Sequence, residues 1–137
     1  MSIYRYVNVN PENKRESDCV CRAISLALRI PYRIVERMLE ENGDIHICDD
    51  LTKMCYSKLL SDRFDLPSYS GRGRTVGEIA SIYENRILLI RIDGHLTCSV
   101  YGTVCDIWDC TNEVCDTFWI AESQNLGTDL GTRLSFV

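Results

Sequence analysis

The run Arg86-Ile87-Leu88-Leu89-Ile90-Arg91-Ile92 constrains the fold most. A short apolar run rich in β-branched residues reads as a strand that is buried almost throughout. Beside it, His95-Leu96-Thr97-Cys98-Ser99-Val100 turns at Tyr101-Gly102-Thr103 and returns as Val104-Cys105-Asp106-Ile107-Trp108-Asp109, a hairpin. Val114 to Ala121 supplies one more antiparallel strand, and residues 3–9 read as a short strand or extended arm. Upstream the period changes to that of helices. Val20, Ala23, Ile24, Ala27 and Leu28 form one apolar stripe over 19–28, which Ile30-Pro31 interrupts. Pro31 opens a second helix with Ile34, Val35, Met38 and Leu39 inward and Gly43 as its stop. Asp49 and Asp50 head a third, running to about Phe64. Thr75 and Glu78 match a capping box for a fourth over 76–84, with Ile79, Ile82 and Tyr83 inward. Helices first and an antiparallel sheet second predict an α+β domain.

A chain of 137 residues has the length of one domain, 1–137, with the Gly-containing stretch 123–137 as a C-terminal arm. Net charge of −5 lacks the basic footprint that nucleic-acid binding needs. No apolar run is long enough to cross a bilayer, and the first residues carry no secretory pattern, so a cytoplasmic location is expected. Eight cysteines is a high count, but in a reducing compartment a disulfide framework is not expected. No Cys-x-x-Cys occurs. A zinc site would have to gather Cys98, Cys105, Cys110 and Cys115 around the hairpin, and strand alternation opposes one shared face for all four. Free buried thiols are the expectation, with no metal and no cofactor. Gly71-Arg72-Gly73-Arg74 is the one basic cluster and reads as a solvated, flexible loop.

Cys19 stands in the first turn of the first helix, after Ser17 and Asp18, either of which can cap it. The positive end of the helix dipole there favours the nucleophilic thiolate. Cys21, two residues on, points well round the helix and reads as packing. The chain holds two histidines. His46 lies in a connector between helices, whereas His95 opens the hairpin. A cysteine on an early helix, a histidine on a later strand and a carboxylate on the next strand make a nucleophile–base–orienter set. Hairpin register selects the carboxylate. A three-residue loop puts His95 opposite Asp109; a two-residue turn puts it opposite Trp108, with Asp106 diagonal on the same face.

With Asn13 and Asp18-Cys19 at the first helix and Gly94-His95 and Asp109 at the hairpin, residues 13–109 resemble the papain-like cysteine peptidases. The resemblance is particularly to the compact bacteriocin-processing peptidase domains and short phage-encoded proteins of similar pattern. The resemblance implies N-terminal helices packed on a C-terminal antiparallel sheet, with the nucleophile at the first helix N-terminus. It implies Cys19 as nucleophile, His95 as base, Asp109 as orienter (Asp106 its rival) and Asn13, where the family has Gln, as oxyanion donor. The implied activity is acyl transfer on a peptide or amide, with a protein or peptide as partner, a host protein if phage-encoded. Two other readings stand beside it: a binding module in which the triad is vestigial, and a zinc-stabilised structural protein.

Overall fold

The computed structural model describes residues 3–12 and 18–123. In chain order the elements are β1 (Ile3–Tyr6), α1 (Cys19–Leu28), α2 (Tyr32–His46), α3 (Lys53–Phe64), β2 (Ser68–Ser70), α4 (Val76–Ile82), β3 (Arg86–Ile92), β4 (His95–Val100), β5 (Thr103–Asp106) and β6 (Thr117–Ser123). The strands form one six-stranded sheet in the order β1-β5-β4-β3-β6-β2. The fold is therefore α+β, but the sheet is mixed rather than antiparallel throughout. The N-terminal strand β1 joins its edge parallel to β5, with Ile3 beside Thr103 and Tyr6 beside Asp106. The expected arm at 123–137 lies outside the described residues, except Ser123, which closes β6.

The buried run predicted over 86–92 is β3, flanked by β4 and β6, with Leu88, Leu89 and Ile90 fully excluded from water. Its side chains feed two cores. Ile87 and Leu89 join Leu96, Cys98 and Trp119 against Val20, Ala23, Ile24 and Ala27 of α1, with Val35 and Leu39 of α2 and Tyr56, Leu59 and Leu60 of α3. Leu88, Ile90 and Ile92 join Val104 and Phe118 against Val76, Ile79 and Ala80 of α4. Alternation along one strand thus loads both faces of the sheet.

Four local expectations change. Gly43 does not stop α2, which runs on to His46 and ends with Ile47 in the left-handed region. The glycine serves a close approach instead: a Cβ there would sit 3.0 Å from the Cys48 carbonyl and 3.1 Å from the Asp50 side chain. His46 consequently lies on the helix, its Nε2 3.4 Å from Asp62, and not in a connector. Cys48 and Cys55 form a disulfide across the α2–α3 corner, against the expectation of free thiols. Residues 70–74 are tied down rather than loose. The Gly71 N–H donates to the Asp116 carbonyl at 3.0 Å and the Cys115 N–H to the Arg74 carbonyl at 2.8 Å. Gly71 is required there, because a Cβ would fall 2.2 Å from the Cys115 carbonyl oxygen.

Candidate active site

The hairpin joining β4 to β5 closes in two residues. Val100 pairs with Thr103, and Tyr101 and Gly102 both take positive φ, 48° and 87°. That is the backbone of a type I′ turn, whose twist matches the strands it joins. The register follows: Cys98 faces Cys105, so Asp106, not Asp109, is the carboxylate beside the histidine. His95 Nε2 lies 2.6 Å from Asp106 Oδ2. Asp109 is exposed and turned to its own loop, where it accepts from the Thr111 N–H at 3.0 Å and hydroxyl at 2.7 Å. The expected orienter, Asp109, required a three-residue loop, one residue longer than the turn this chain makes.

Cys19, the first residue of α1, brings its thiol to the same imidazole. Burial would raise the Cys19 pKa, but hydrogen bonding to His95 and to the Leu96 backbone, helped by the imidazolium charge, holds it below the ordinary thiol value. For His95, burial disfavours the cation. Hydrogen bonds to Asp106, Cys110 and Cys19 outweigh it and push the pKa up to about 11. Asp106 is held low in the same way: burial works against the carboxylate, and the bond to His95 wins. The lowered thiol and the raised histidine both favour the thiolate–imidazolium form of the pair, with the Asp106 carboxylate on the other side of the hydrogen bond to His95. Cys21 differs sharply. Burial pushes its thiol up to about 12, and it donates to the Tyr32 carbonyl at 3.4 Å.

Two residues of the site, Arg22 and Cys110, were not anticipated as site residues from sequence. Arg22, on α1 one turn after Cys19, is buried and pairs with Asp18 Oδ1, while its Nη2 lies 3.7 Å from Asp106 Oδ1. It ties the helix to the strand that carries the orienting carboxylate. The helical period gave no signal for it, because Arg22 falls on the side of α1 opposite the stripe of Val20, Ala23, Ile24, Ala27 and Leu28 and reads as solvent-facing. Cys110, fully buried, lies 3.9 Å from Asp106 Oδ2 and hydrogen-bonds His95. Trp108 packs against the imidazole at a tilt, ring centroids 5.2 Å apart, and forms one wall of the site.

The ligand atoms of His95, Asp106 and Cys110 lie within 4.8 Å of one another. They are the one group of three or more metal-ligating side chains converging among the described residues; Cys98, Cys105 and Cys115 do not join it. Asp106 is already engaged by His95, the Ile107 N–H at 2.7 Å and Arg22, and that guanidinium repels a divalent cation. The donor set therefore suits a proton relay better than a metal.

Cys19 and His95 open onto a cleft of about 280 Å³ whose walls include Val20, Leu96, Tyr56 and the head of α3. Asn13, the expected oxyanion donor, lies outside the described residues. The remaining donor is the Cys19 backbone N–H, left without an intrahelical partner at the head of α1. No family model matches this chain, and neither a curated protein nor a solved structure matches it.

Proposed function

We propose that this protein is a cysteine-peptidase-like hydrolase of papain-like type, acting on a peptide or amide through Cys19, His95 and Asp106. One observation carries the reading: a single half-buried imidazole is shared between a carboxylate at 2.6 Å and the thiol heading α1, with the thiol pKa lowered and the histidine pKa raised. The Cys19 thiolate attacks the substrate carbonyl, and the S–C bond forms as the carbonyl electrons move onto oxygen. The Cys19 N–H meets that oxyanion, with the Asn13 amide as the second donor that the family resemblance supplies. His95 gives its proton to the leaving nitrogen as the C–N bond breaks. It then takes a proton from water, which attacks the thioester and releases the acid and the thiolate. Asp106 keeps the imidazole in one orientation throughout. A protein or peptide is the corresponding partner.

The test is alkylation of each cysteine by iodoacetamide from acidic to neutral pH, mapped by mass spectrometry, together with peptide turnover. Cys19 is expected to label fastest and to stay reactive at acidic pH. It slows by orders of magnitude in His95→Ala, while Cys19→Ala and His95→Ala abolish turnover in folded protein. Uniformly slow labelling, or turnover surviving in either variant, defeats the proposal.

A further inference from the structure

We infer that the cleft beside Cys19 is an anion subsite, so that the substrate is an acyl group bearing a carboxylate next to the scissile bond. The inference rests on Cys19 being the nucleophile. Lys53, at the head of α3, and Arg91, near the end of β3, both line this cleft with His95, and none of its lining residues is acidic. In a chain of net charge −5 that is a local inversion of sign. The two cations share one carboxylate, Asp116, which lies behind them and does not line the cleft. Lys53 Nζ is 3.0 Å and Arg91 Nη1 2.6 Å from the same Oδ2. One acid cannot neutralise two bases, so the trio keeps a net positive charge. Lys53 and Arg91 remain 37% and 24% exposed, within reach of a ligand. Lys53 is also fixed by its bond to the Thr117 hydroxyl at 2.8 Å, so it is held in place before a ligand arrives. Apolar Val20, Leu51 and Leu96 complete the walls and lower the local dielectric, which strengthens attraction for a carboxylate.

The competing explanation is structural: Lys53 and Arg91 merely pin α3 to the β6 end of the sheet through Asp116. The two explanations separate in sign. We would compare iodoacetate with iodoacetamide at Cys19, two reagents in which the thiolate displaces iodide and which differ in one negative charge. The rate ratio within each variant cancels general changes in Cys19 reactivity, and comparing ratios between variants removes the constant pull of the His95 cation. Lys53→Gln and Arg91→Gln should each lower the iodoacetate-to-iodoacetamide ratio about two- to fivefold, the range of a partly exposed charge pair. Asp116→Asn should raise it by a similar factor, because it frees both cations. A purely structural ion pair predicts loss of stability in all three variants and an unchanged ratio. Fast Cys19 labelling with the same ratio in every variant overturns the anion subsite and leaves the hydrolase reading standing. Slow Cys19 labelling by both reagents in the wild type overturns both.

Discussion

Two helices begin against this sheet, and their first turns are built on opposite plans. The head of α4 is settled by its own neighbours in sequence. Thr75 Oγ1 accepts from the Glu78 N–H at 3.1 Å, Glu78 Oε1 accepts from the Thr75 N–H at 2.8 Å, and the helix buries Val76, Ile79 and Ala80. The head of α1 forgoes that arrangement. Its N-cap residue, Asp18, makes no side-chain capping bond. The carboxylate turns to Arg22, and also accepts from Asn10 Nδ2 and the Tyr32 hydroxyl, each at 2.8 Å. A local cap is worth about 1 kcal/mol, and α1 gives it up to hold a buried cation that in turn approaches Asp106. Local optimisation thus marks scaffold, and its absence marks the site.

The sharpest way to break this contrast is to remove the carboxylate that α1 is organised around. Asp106→Asn should cut Cys19-dependent turnover by about 10²–10⁴-fold, whereas Asp109→Asn should change it less than about twofold; steady-state rates on a peptide substrate decide. The pH dependence carries a sign. His95 titrates near 11 in the fold against 6.5 as a free side chain, so the stability it contributes is complete below about pH 6.5 and is lost as pH rises through 11. Asp106, held below its ordinary 3.8, contributes stability above that value and loses it as pH falls through its lowered pKa. The stability gap between wild type and Asp106→Asn, from urea titrations, should be widest at about pH 4–6.5 and narrow on either side. In the variant the imidazolium should also be lost at a lower pH, moving the alkaline limb of Cys19 alkylation downward.

Arg22→Met tests the link between helix and strand. It strands Asp18 inside the protein and takes the positive charge from beside Asp106, so unfolding free energy should fall by about 3–5 kcal/mol, read from the urea midpoint. Asp18→Ala, which removes the partner and leaves Arg22 with Asp106, should cost about 1.5–3 kcal/mol and also slow Cys19 alkylation. Smallest is Thr75→Ala at the other helix: about 1 kcal/mol of stability, with the Cys19 alkylation rate unchanged. If Thr75→Ala and Asp18→Ala moved that rate alike, the two helix heads would not differ in kind.

What was legible in the sequence follows the same division. The extents of α1 and β3 agree residue for residue with their apolar periods, and the Thr75–Glu78 box was readable because each partner lies within one turn of the other. Hairpin register was not. Gly102 advertises a positive φ, but a type I′ turn needs a second one, and tyrosine at 101 gives no such signal. That one ambiguity is what exchanged Asp109 for Asp106. The parallel pairing of β1 with β5 joins segments far apart in the chain, which no local pattern encodes. Gly43 carried the usual mark of a helix stop, but its missing Cβ accommodates the chain returning at Cys48 and Asp50. Arg22 was not legible either: the helical period puts it opposite the apolar stripe, and the Asp106 it approaches lies far along the chain on β5.

The line from Cys19 to Asp106 also has a kinetic meaning. Its members come from the first helix and from a hairpin far along the chain, joined by contacts that close a long loop. Such contacts are slow to form, because loop entropy is lost before they stabilise anything. A chain refolding from denaturant would acquire its helices and its hairpin while the Cys19 thiol still titrated as an ordinary one. The acid-stable reactivity of that thiol would then serve as an internal clock, starting only when the two ends of the architecture have met.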